Sequence, residues 1–137
     1  MPLSKIQFGN TGRRNLIING AMQVAQRGDQ TSLTSGYTGV DRWKFDRVGA
    51  AAVTGKQGGS GVSTPANGFP NSVHLDVTSA DSSLAAGDIG LLRQYIESQN
   101  LQNLKYGTSS AESLTLSFYV KSPKTGIHWV EMYAYDA

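Results

Sequence analysis

The 137-residue chain has no cysteine, which removes disulfide staples, thiolate metal sites and a cysteine nucleophile from consideration. That lack fits assembly in a reducing cytoplasm. Apolar residues make up only 39%, a low share for a globular protein. No apolar run approaches the roughly 18 residues of a membrane span, so membrane insertion is not expected. The opening MPLSKIQFGN lacks the apolar core of a cleaved signal peptide. A protein of this kind that works outside a cell is expected to leave it by another route, such as lysis. Charge of either sign is scarce: 12 basic residues stand against 10 acidic ones, for a net charge of +2. Phosphate backbones demand clustered Lys and Arg, and Arg13-Arg14 beside Gly12 reads as a solvated turn. A nucleic-acid partner is therefore not expected.

What is present points to strands. Sixteen glycines accompany frequent Ser and Thr, a mixture suited to tight turns and β-structure. Leu16-Ile17-Ile18 reads as a strand, Asn19-Gly20 as a turn or bulge, and Met22 and Val24 share one face of a following strand. Gly28 to Gly39 reads as a polar loop. In 40–48, Trp43 and Phe45 fall on one side of a strand facing a core. A weak strand is expected near Ala51 to Lys56 within a long Gly/Ala/Ser/Thr stretch. Val73, Leu75 and Val77 alternate with His74, Asp76 and Thr78 as in a half-buried strand. Residues 89–104 fit two descriptions: a helical stripe of Leu91, Leu92, Tyr95 and Ile96, or a strand through Ile96 followed by a short helical turn at Asn100 to Leu104. The cleanest alternation lies in 113–121, where Leu114, Leu116, Phe118 and Val120 share a face. A turn at 122–126 then leads to a hairpin partner from Ile127 to Tyr135. The fold class expected is all-β: an antiparallel sandwich or barrel in one domain, residues 15–137, preceded by an arm over residues 1–14.

Four stretches carry a resemblance. NLIINGAMQVAQRG, TGVDRWKF, LRQYIESQNLQNLKYG and SLTLSFYVKSPKTG, in that order, resemble a group of phage virion proteins described as tail fibre or tail-associated proteins. The first and last also resemble strands of carbohydrate-binding-module-like jelly rolls. The resemblance covers roughly residues 15–135. It implies a jelly-roll β-sandwich, a structural rather than enzymatic role, the strand description of Leu91 to Glu97, and no cofactor. Such jelly rolls continue for two or three further strands past the point matching Ala137. That implies either a shortened form or sheets completed by neighbouring subunits, because open edges are normally covered or paired. A homo-oligomer, with a trimer favoured, contacting other virion proteins, is the implied assembly. A capsid decoration protein and a glycan-binding module are the alternatives.

Candidate site residues follow from residue type. Leu3, Ile6 and Phe8 in the arm are candidates for docking to the particle. Trp129, Tyr133 and Tyr135 share a face of the last strand and are candidates for a glycan platform, since sugars stack on exposed aromatics. The competing description puts that face in a core or a subunit interface. Catalysis and metal binding find little support. His74 and His128 lack any ligand spacing. Asp41 and Asp46 flank Trp43 but are expected to balance neighbouring basic residues rather than to run glycoside hydrolysis. Asp76, Asp81 and Asp88 do not form a recognised calcium loop. GKQGGSG lacks the order of a phosphate-binding loop.

Overall fold

The computed structural model of the chain describes residues 15–58 and 68–134. The expected arm with Leu3, Ile6 and Phe8, and the aromatic Tyr135, lie outside the described residues. The strands are β1 (Ser35–Tyr37), β2 (Lys44–Val48), β3 (Ala52–Gly58), β4 (Ser72–Ser79) and β5 (Ile89–Arg93). The short helix α1 (Ser98–Leu101) passes into a 3-10 turn over Gln102–Leu104. The ordered elements are therefore mostly β, with a short helical turn where one was expected. They form two small antiparallel sheets, β1-β2-β5 and β3-β4. The sheets do not close into a sandwich.

β2 is the centre of the first sheet because its pattern serves both neighbours. Phe45 pairs across to Gly36 on β1 and Leu92 on β5. Phe45 is buried against Leu33 and Val53, and Leu75 of β4 packs on the same cluster. Trp43, expected in the core, is only half-buried, and its indole N–H donates to the Asn19 carbonyl at 3.3 Å.

The second sheet joins the first through backbone bonds. Gln30 and Gly55 exchange two N–H···O bonds of 2.9 Å, and Leu33 N donates to Val53 O at 2.8 Å. Gly55 gives that approach room. A Cβ on it would sit 2.6 Å from Leu33 Cδ1 and 3.2 Å from Thr38 Cβ. The polar loop expected over residues 28–39 thus contains a bridge and a strand. Neither needed apolar side chains, so periodicity could not reveal them. Among the described residues, β4 pairs only with β3, and β5 only with β2. Each leaves one edge without a ladder.

Four expected strands do not form, the one carrying Met22 and Val24 among them. Residues 15–18 run into a turn, closed by Met22 N donating to Asn19 O at 3.0 Å, with Asn19 and Met22 both at φ 55. Asn19-Gly20 is the turn expected. In place of a ladder, the Gln94 side-chain amide both donates to and accepts from the Ile18 backbone at 2.8 Å. Residues 113–121 and 127–134 carry the alternation of a hairpin, yet no strand is formed and every residue from 111 to 134 is exposed. Alternation fixes which face a strand would bury, but a ladder needs a partner edge, and among the described residues none pairs with them.

The core is correspondingly small: Leu33, Val40, Phe45 and Val53 are the buried apolar side chains among the described residues. The chain exposes 11322 Å². A compact monomer of this mass exposes about 6,900 Å². The fully exposed stretch from 111 to 134 accounts for part of the difference.

Candidate functional site

The described surface carries a shallow recess of about 250 Å³, lined by Arg27, Tyr37, Asp41 and Arg42. Backbone geometry brings these residues together. Asp41 N donates to Val24 O at 3.0 Å, drawing the 24–28 turn against the segment before β2. Arg42 adopts φ 73, which turns its side chain toward the α1 entry. Arg27 lies 4.8 Å over the Tyr37 ring and pairs with Asp41 at 3.0 Å. Arg42 pairs with Glu97 at 2.6 Å and reaches the Tyr95 carbonyl at 3.5 Å. The Arg42 contact holds the Glu97 carboxyl below its ordinary range, and Glu97 in turn raises the guanidinium. Every charge in the recess is already matched, so it fits neither a free general base nor an empty cation site. Sequence reasoning picked out Asp41 but missed Arg27 and Tyr37, which lie 14 and 4 positions away from it and follow no motif.

Asp46 is the second acidic candidate, and it is held still more tightly. It accepts from the Ser35 hydroxyl, lies 3.3 Å from Lys44 Nζ, and pairs with Arg93 on β5. The Arg93 pairing is close but poorly directed, leaving Asp46 Oδ2 and Arg93 Nε without a well-aligned hydrogen bond. Burial pushes the Asp46 carboxyl up; the Ser35 hydroxyl, Lys44 and Arg93 together outweigh it and leave the group below its ordinary value. A carboxyl lowered by folding stabilises the fold above its unfolded pKa, near about 4, and loses that contribution as pH falls through the folded value. The melting temperature should therefore drop on acidification from pH about 6 to about 3. Asp46→Asn should lower it at pH about 6 and flatten the acid dependence, as thermal unfolding across that range will show.

Asp81 and Asp88 meet at a turn rather than at an ion. Asp81 accepts from Ala50 N at 2.7 Å and Ser83 N at 2.9 Å, and the Ser83 and Ala50 bonds lower its pKa. Asp88 accepts from Ala85 N at 2.8 Å. Both carboxylates crowd Gly49, whose φ of +113 favours glycine. Among the described residues no group of three or more His, Asp or Glu side chains could hold a metal ion. His74 is half-buried with its Nδ1 lacking a hydrogen-bond partner, and His128 is exposed. No described helix is long and apolar enough to cross a membrane.

The aromatic platform is placed only in part. Trp129 and Tyr133 are 90% and 76% exposed on the segment without a ladder. Leu114, Leu116, Phe118 and Val120 expose 40%, 48%, 58% and 70% on the preceding stretch. Both segments carry strand-patterned apolar side chains that stand exposed. Comparison with family models, with curated proteins and with solved structures finds no match.

Proposed function

We propose that the chain is a non-enzymatic structural protein of a phage virion, a component of a tail fibre or tail-associated appendage, whose jelly-roll sandwich is completed by identical copies. The observation that carries the assembly half is the 113–134 segment, patterned for strands and wholly exposed in the single chain. An edge or a strand left in this state favours pairing with another chain. The four ordered motifs resembling virion proteins support the phage half. A closed trimer gives every copy the same environment, and linked copies multiply weak host-surface contacts.

Antibody labelling and mass spectrometry of purified particles test the reading. The chain is expected on the tail. Its presence on the head favours the decoration-protein alternative, and its absence from particles contradicts both. Deleting residues 1–9, which carry Leu3, Ile6 and Phe8, should abolish incorporation while the circular-dichroism spectrum stays unchanged; normal incorporation would remove the docking role from this arm.

A glycan-binding role has one observation of its own, the exposed Trp129 ring. On a glycan array, Trp129→Ala and Tyr133→Ala should each reduce a bound signal at least about tenfold if those rings stack on sugar, the size expected from losing one good contact. A wild-type chain that binds no glycan excludes this role.

A further inference from the structure

We propose that Leu114–Val120 of one copy adds, antiparallel, to the open edge of β4 in a second copy, with Leu116 opposite Leu75. This inference rests on the assembly reading above and names the surfaces through which it operates.

The acceptor is chosen by its pattern. Along β4, Val73, Leu75 and Val77 face one way and His74, Asp76 and Thr78 the other. The donor alternates in the same sense, with Leu114, Leu116, Phe118 and Val120 against Thr115, Ser117 and Tyr119. Directly opposed residues in an antiparallel pair point to the same face, so a one-residue slip would set every apolar side chain against a polar one. With Leu116 opposite Leu75, Leu114 meets Val77 and Phe118 meets Val73. Val77 is 59% exposed in the single chain and gains cover. On the other face Thr115 meets Asp76, and Ser117 meets His74. The buried His74 Nδ1 has no hydrogen-bond partner among the described residues, and the Ser117 hydroxyl supplies one once the imidazole turns toward it. The open edge of β5 fits less well. Leu91 and Leu92 are adjacent there, and Arg93 on the Leu91 face is already paired with Asp46.

The occupant is a second copy of this chain. Among the described residues of one chain, Tyr119 of the segment meets Phe69, on the approach to β4, at 5.6 Å between ring centroids, and no ladder runs along the strand. Donor and acceptor therefore both remain open in each copy, one of each per chain. Identical copies match each other in number, and a ring in which each gives one strand and receives one leaves no donor segment and no β4 edge unpaired.

Because the chain has no cysteine, introduced thiols report this pairing cleanly. Full-length Thr115→Cys and Asp76→Cys chains are mixed in equal amounts and mildly oxidised, alongside sedimentation of the wild type. The mixed disulfide is expected to exceed either like-with-like disulfide about tenfold, the advantage of a held over a random encounter. Leu114→Cys with Val77→Cys, one step along the same register, should behave alike and guards against misfolding of the first pair. If the wild type is an oligomer but both pairs give random yields, this edge is wrong and the assembly reading survives. If the wild type is a monomer, both fall. A doubly substituted chain that cross-links within itself and runs as a monomer overturns the proposal in favour of pairing in one chain.

Discussion

Replacing Phe45 with alanine is expected to unfold the domain rather than merely weaken it. A buried Phe→Ala change costs about 3–5 kcal/mol, the lost transfer energy plus the cavity left behind. In an ordinary domain that is a large part of a total of about 5–15 kcal/mol. Here the reserve is smaller, because the buried apolar set among the described residues is only Leu33, Val40, Phe45 and Val53. Phe45 also stands at the junction of the layers. It is flanked by Gly36 and Leu92 in its own sheet and packs on Leu33, Val53 and Leu75 from the other side. Its loss therefore unties both sheets at once. Urea unfolding followed by circular dichroism should show no cooperative transition for Phe45→Ala; a midpoint within error of the wild type would show that the core lies elsewhere.

The second large effect is expected at a glycine. A Cβ at Gly39 would lie 2.6 Å from the Gly28 carbonyl oxygen and 3.2 Å from the Lys56 Cα. Both obstacles are backbone, so neither can swing aside. Gly39 N also donates to Gly55 O at 3.3 Å, in the run of bonds that joins the 30–39 segment to β3. Relieving the clash means pulling that segment off the strand. Gly39→Ala should thus cost at least the overpacking penalty of about 1–3 kcal/mol. Gly55→Ala provides the comparison. Its closest obstacle, Leu33 Cδ1 at 2.6 Å, is the end of a flexible side chain. Denaturation midpoints should rank wild type above Gly55→Ala and Gly55→Ala above Gly39→Ala. The reverse order would mean that the close passage between Gly28 and Gly39 is not held in solution.

The parts of this fold legible in the sequence are those where side chains announce the backbone. Val73, Leu75 and Val77 mark β4, Phe45 marks β2, and Asn19-Gly20 marks its turn, where Asn19 takes the positive φ that its residue type tolerates. The helical stripe of Leu91, Leu92, Tyr95 and Ile96 was misleading. β5 forms there because β2 offers a complementary edge, with Phe45 facing Leu92, and an edge several tens of positions away outweighs local helix preference. The bridge at Gln30 and the strand at Ser35–Tyr37 were not legible, since main-chain bonds hold them. The recess was equally hidden, because Arg27, Tyr37 and Asp41 meet only through the turn that Asn19 organises. Its side-chain amide donates to Val24 O at 2.9 Å and Asp41 O at 3.0 Å.

The strongest strand pattern in the sequence is the one the single chain leaves without a ladder. Residues 113–121 and 127–134 have the composition of buried sheet and the exposure of surface. Local preference and tertiary environment disagree there, and on the assembly account a partner surface resolves the conflict. On the assembly account, the small core and the large exposed area of one chain are two views of a fold shared among copies.

Hydrogen exchange of the backbone amides from Leu114 to Val120, measured across a dilution series spanning oligomer and monomer, tests this most directly. The account predicts slow exchange in the oligomer, together with the outer-edge amides of β4, and fast exchange of both sets on dissociation. Exchange of these amides that is equally fast, or equally slow, at every concentration would contradict it.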